Sequence, residues 1–376
     1  MKTSKPYILI ASILLIIGTI YIINSKSAER PNTTESVAVN PRVSPQQSDA
    51  GKKKSKQYEL AKEITTPDGF INTNDMPITI SDLISKKVIL IDFWTYSCIN
   101  CQRTTPYLNA WYEKYKDKGF VIIGVHTPEF DFEKEYKNVL AATQKFGIQF
   151  PVVLDNDFST WIAYNNRYWP RKYLIDIDGY IVYDHIGEGG YEETEREIQK
   201  ALDERMTVLG KNETVSQPLT KEIPPQGVSG SPETYFGAKR NQFFGNGESG
   251  ISGKQSSLTF PSKPKKNTLY LSGDWNITDE FAQNISTAGI LYTYTSKDVF
   301  FVSMSETETT IEVLRDGVPL GSEAGADIIK TSDGKTILKI QEARLYKIIQ
   351  DKQSGTHTLQ FKISRPELKA FTFTFG

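Results

Sequence analysis

The stretch "KVILIDFW", residues 87–94, constrains the fold more than any other. After the leading lysine every residue is apolar except Asp92. A strand with one wet face alternates apolar and polar residues. An unbroken apolar run is expected of a central strand covered on both faces, as in a parallel sheet between helical layers. Four residues beyond its end comes Cys98, and Cys98 and Cys101 are the only cysteines in 376 residues. The chain therefore combines a fully buried strand, a carboxylate inside it and one close cysteine pair.

From residue 58 to 209 strands and helices alternate. "CINCQRTTPYLNAWYEKYKDKG" reads as a helix stopped at Gly119, and "FVIIGV" as a second strand. Residues 131–146 read as a helix stopped by Gly147, "FPVVLD" as a third strand, and the stretch through Trp161 and Tyr164 as a short helix. "KYLID" and "YIVYDHI" flank Asp178-Gly179, a hairpin signal, and residues 192–208 form a last amphipathic helix. The order βαβαβαββα predicts an α/β domain, a mixed sheet with helices on both faces. Residues 210–231 are rich in Pro, Gly, Ser and Thr and mark a linker. Residues 232–376 then carry short alternating strands with almost no helical period, the pattern of an all-β sandwich domain.

Ahead of both domains, residues 7–23 form an uncharged apolar run behind Lys2 and Lys5. Its length and the lack of a following A-x-A site predict an N-terminal transmembrane anchor over 1–24, with a cleaved signal peptide as the other reading. Residues 25–57, with no aromatic before Tyr58, read as a flexible linker whose lysines at 52, 53, 54 and 56 are either solvated or drawn to anionic lipid. The expected location is a single-pass protein of the cell membrane with both domains outside the cytoplasm. Formal net charge is -1, so no basic field favours nucleic acid. Two cysteines and three scattered histidines fall short of a structural zinc site, and no metal or cofactor is expected.

The cysteine pair opens a helix. The first helical turn has unpaired N–H groups and the positive end of the macrodipole, which favours a thiolate at Cys98 and makes it the nucleophile. Cys101 lies one turn deeper on the same side, placed to resolve a mixed disulfide formed at Cys98. A structural disulfide there would close almost no loop and add little stability. Asp92 then reads either as a relay for the Cys101 proton or as a structural acid at a polar edge.

"ILIDFWTYSCINCQRTTP" resembles the active-site strand and helix of the thioredoxin superfamily. The resemblance assigns the buried acid to Asp92, the family tryptophan to Trp94, the two cysteines to Cys98 and Cys101 and the helix proline to Pro106. It further implies a cis-proline at Pro170 within "NRYWPRKYLID", preceded by Trp169, facing the disulfide and holding a partner strand. "WTYSCINC" together with "GVHTPEFDFEKE" is similar to the extracytoplasmic domain of DipZ-like proteins, relatives of the TlpA group, in which a β-sandwich resembling a carbohydrate-binding module follows. Many TlpA-like members carry glutamate where this chain has Thr104, which leaves Asp92 as the acid. The DipZ pattern includes a multi-helix membrane donor, which here is expected to be a separate protein.

His126 and Glu129 follow a strand at the edge where ligands of α/β sheets collect, and read either as neighbours of Cys98 or as plain surface groups. In the β domain, Trp275, Tyr292 and Tyr294 read as core, with a sugar platform as the other reading. The expected function is thiol–disulfide exchange with protein partners, as a reductant by the TlpA resemblance. An oxidase or isomerase, or an envelope adaptor binding glycan or protein through the β domain, are the rival readings.

Overall fold

The computed structural model describes residues 54–376 apart from 75, 212–214, 216–217 and 222–229. The expected anchor and most of the expected linker lie outside the described residues, among which no helix is long and apolar enough to cross a membrane. Both regions that the sequence separates fall within one compact unit, Val43–Gly376.

The first region runs β1 (Gly69–Ile71), α1 (Ile80–Leu83), β2 (Val88–Trp94), α2 (Ile99–Tyr115), β3 (Phe120–His126), α3 (Tyr136–Lys145), β4 (Val152–Leu154), α4 (Ser159–Ala163), β5 (Arg171–Ile175), β6 (Ile181–Ile186) and α5 (Tyr191–Val208). The sheet order is β1-β4-β3-β2-β5-β6, with β4, β3 and β2 parallel and β1, β5 and β6 antiparallel to their neighbours. All seven residues of β2 are buried, which explains its unbroken apolar run. Side chains alternate across a strand. Val88, Leu90 and Trp94 therefore join one core with Leu108 of α2, Val139 of α3 and Ile198 of α5. Ile89, Ile91 and Phe93 join the other with Ile80 of α1 and Trp161 of α4. The same alternation puts Asp92 on the α2 side.

Two local departures from the sequence reading have simple causes. The helix expected over 131–146 is a short 3-10 turn, Asp131–Lys134, followed by α3, because Glu135 between them is extended at φ -70 and ψ 112. The linker does not reach residue 57. Lys54 is neither free in solvent nor available to lipid, since its ammonium pairs with Asp176 (2.5 Å), Asp178 (3.0 Å) and Glu204 (2.6 Å).

The second region is all-β, and hydrogen bonding links its eleven strands into one continuous ladder. Two strands are unusually long, Ala288–Met304 and Arg344–Ile363, and they pair with each other through bulges near Ser296 and Val299. The other edge of Ala288–Met304 changes partner, pairing with Leu269–Ile277 over 289–292 and with Lys369–Phe375 over 299–304. Ala282–Asn284 pairs with both of those partners and closes a ring around one aromatic core.

A separate apolar cluster joins the two regions. Ile99 of α2 and Phe130 pack against Phe300, Val302, Leu345 and Phe371 of the β domain. Ile99 stands directly between the cysteines, so the second domain covers the start of the cysteine helix.

Candidate active site

Cys98 is the N-cap of α2, with φ -77 and ψ 119, and its sulfur accepts the Cys101 backbone N–H at 3.2 Å. Cys101 is buried one turn deeper, and its thiol lies 2.7 Å from the Cys98 sulfur, both cysteines being free. Burial pushes the Cys101 thiol well up, and the contact with Cys98 adds to the rise. Cys98 remains half-buried and lines a cleft of about 160 Å³. The pair thus divides into one reachable sulfur and one enclosed sulfur.

Asp92 lies behind that pair, 2% exposed, and its Oδ1 has no hydrogen-bond partner. Burial raises its carboxyl to about 7, against the opposing pull of Lys172. Lys172 stands directly across the β2–β5 pairing from Asp92, is wholly buried and donates to the Gly187 carbonyl at 3.2 Å. Burial lowers its pKa, while Asp92 and Cys101 oppose that fall. A buried acid, a buried amine and the deeper thiol therefore act on one another electrostatically. Lys172 carries no local signal in "PRKYLI", since only the β2–β5 register puts the lysine opposite Asp92.

The remaining expected residues separate into those at the cleft and those behind it. Trp169 lines the cleft beside Cys98, its indole N–H donating to the Thr127 carbonyl at 3.0 Å. The Trp169–Pro170 peptide is cis, and Pro170 is buried. Glu129 also lines the cleft, and Arg240 and the Tyr235 hydroxyl donate to its carboxylate at 2.6 and 2.9 Å. Trp94 and His126 are not at the cleft. Trp94 is 3% exposed within the core, and His126 is wholly buried between it and Tyr96, at ring distances of 5.1 and 5.7 Å. Neither offers a surface to a partner, and burial lowers His126 to about 3, so it stays neutral. Thr104, at the glutamate position of TlpA-like proteins, is buried and donates to the Asn100 carbonyl at 2.8 Å.

Glu133 is a site residue that sequence reasoning missed inside the charged run "DFEKE". Wholly buried, it accepts the Ser97 hydroxyl (2.6 Å) and backbone N–H groups of Ser97 (3.3 Å), Glu129 (2.6 Å) and Phe130 (3.0 Å). It ties the turn before Cys98 to the loop after β3. The β domain adds Tyr235, Arg240, Glu233, Thr372 and Thr374 to the cleft. The sugar platform does not exist on the expected aromatics. Trp275, Tyr292 and Tyr294 are at most 1% exposed, and packing of the closed sheet consumes their faces.

Residues 56–202 match the Redoxin family model, and residues 231–376 match the model described as a thioredoxin-like C-terminal domain. Protein DipZ of Mycobacterium tuberculosis is 34% identical over 319 residues, 83% of this chain, so the match runs through both domains. The chain spans 43% of the length of that relative. The thiol-disulfide oxidoreductase ResA of Bacillus thuringiensis is 36% identical over 33% of this chain and 68% of its own. Thiol-disulfide oxidoreductase YkuV of Bacillus subtilis is 28% identical over 34% of this chain and 85% of its own. A buried acid behind a half-open cysteine pair, 36% identity to ResA across 68% of that protein and a DipZ match through both domains place this chain in the thioredoxin-like family of thiol–disulfide oxidoreductases.

Proposed function

We propose that the chain exchanges its Cys98–Cys101 pair with disulfides of protein partners outside the cytoplasm, as a reductant. The observation that carries this is the division of labour in the pair: Cys98 at the helix N-terminus and open to the cleft, Cys101 enclosed beside it. The Cys98 thiolate attacks one sulfur of the partner disulfide, forming a mixed disulfide and releasing the partner's other sulfur as a thiolate. Cys101 gives up its proton, for which Asp92 is the nearby acceptor with a pKa of about 7. Its sulfur then attacks Cys98, the second partner thiolate leaves, and two electrons have passed to the partner. The resulting Cys98–Cys101 disulfide is reduced again by a separate membrane donor.

Cys98→Ser should abolish reduction of a model protein disulfide, whereas Cys101→Ser should accumulate a partner linked through Cys98. Trapping by Cys98→Ser instead would reverse the assigned roles, and unchanged turnover in both variants would sink the exchange reading. The uncharged run at 7–23 supports anchoring with the domains outside. An impermeant thiol reagent added to intact, reduced cells should then label Cys98. Labelling only after lysis would put the domains in the cytoplasm.

A further inference from the structure

The cleft over Cys98 has two walls, one from each domain, and the β-domain wall carries charge that exchange chemistry does not require. Arg240 donates to Glu129 at 2.6 Å and lies 3.7 Å from the centroid of the Tyr235 ring, so this cation and this carboxylate neutralise each other in a fixed position. Glu233 is left over. It is solvent-exposed, it accepts the Thr374 hydroxyl at 3.1 Å and bonds the Tyr235 hydroxyl, and Arg240 acts on it without a direct ion pair among the described residues. The other residues lining the cleft are uncharged apart from the reacting Cys98. With one cation facing two carboxylates, the cleft carries a net negative charge once Glu233 is ionised, above about pH 7.

We propose that Glu233 is a specificity-determining residue of this site, favouring disulfides whose reacting cysteine is flanked by lysine or arginine. The inference rests on the exchange reading above. A cleft of about 160 Å³ is smaller than the roughly 300–1,000 Å³ of an ordinary ligand pocket. The cleft has room for the reacting cysteine but not for its neighbours, so the residues beside it rest against the rim, where Glu233, Thr372 and Thr374 form the β-domain wall. A cation there meets Glu233, while a carboxylate meets both Glu233 and the Cys98 sulfur. Burial and the neighbouring Glu129 raise the Glu233 carboxyl to about 7, against the opposing pull of the Tyr235 and Thr374 hydroxyls and of Arg240. The groups facing it are Glu129, Tyr235 and Arg240, so above neutrality the leftover charge is present.

The test compares three peptide disulfides identical except for the residues flanking the cysteine: lysine, serine or glutamate. They are reduced by the full chain well above neutral pH. The lysine peptide should exceed the glutamate peptide by roughly two- to fivefold in kcat/KM, the range expected of one partly exposed ion pair, and the ratio should shrink with added salt. Glu233→Gln should bring the ratio close to one, and Glu233→Lys should invert it. Retained reduction of the serine peptide shows that each variant keeps a folded site, and a purely structural role would not reverse a preference. Reduction of all three peptides with a ratio that Glu233→Gln leaves untouched overturns this inference alone. Reduction of none of them overturns the exchange reading and this one with it.

Discussion

Asp92 shows how one residue trades stability for chemistry. Its carboxyl titrates near 7 in the folded chain against 3.8 for an ordinary aspartate, with burial as the main cause. Below pH 3.8 it is protonated in both states and burial costs nothing. As pH rises toward 7 the unfolded chain loses the proton first, so stability falls. Above 7 the loss is complete, on the order of 4 kcal/mol. Asp92→Asn removes that charge while keeping the size. The variant should match wild type near pH 4 and exceed it above pH 7 by less than the full amount, because Lys172 loses its counter-charge. Denaturant unfolding across this pH range measures the difference. In single-turnover kinetics, attack at Cys98 should be little changed, while resolution by Cys101 should slow by roughly ten- to a hundredfold. A variant less stable than wild type above pH 7, with normal resolution, would make Asp92 a structural acceptor.

At the scale of elements, long and fully buried pieces were legible and short or bent ones were not. The strand around Asp92 was legible because an apolar run over both faces has no other common explanation, and β2 covers Val88–Trp94. The three-residue β1 and the single-turn α1 were missed, since neither is long enough to show a period. In the β domain "GILYTYTS" and "DVFFVSMS" each have the length and alternation of a separate strand, as do "ARLYKIIQD" and "THTLQFKIS". Each pair is one continuous strand, because the polar residues between them sit at bulges that bend the strand without ending it. That continuity closes the sheet on itself, and it turns inward the aromatics that composition alone leaves open as a platform. At the site, both cysteines, Asp92 and Trp169 were legible from local spacing and family likeness. Lys172, Glu133 and the β-domain wall depend on strand register, a loop contact and domain docking, which no local pattern encodes.

At the scale of the whole molecule, the open question is why two domains with separate cores behave as one unit, and Phe371 gives a physical answer. Strand Lys369–Phe375 pairs Thr372 with Val302 but Ala370 with Ser303, so Phe371 is an extra residue in the ladder. A bulge re-aims its side chain. Ala370 and Phe373 point into the β-domain core, while Phe371 turns outward to Phe130 at 5.1 Å and Phe132 at 4.8 Å, next to Ile99 of the cysteine helix. Phe371→Ala should cost about 3–5 kcal/mol, the range for truncating a buried aromatic. The loss should fall on the joint. Wild type should unfold in one calorimetric transition and the variant in two, with Cys98 alkylated faster as its cover loosens. Phe130→Ala, on the opposite side of the contact, should produce the same separation, and the double variant should lose less than the sum of the two. One transition in both single variants with unchanged alkylation would mean that the inter-domain ion pairs Glu129–Arg240 (2.6 Å) and Arg103–Asp298 (3.5 Å) hold the domains together and that the aromatic contact is incidental.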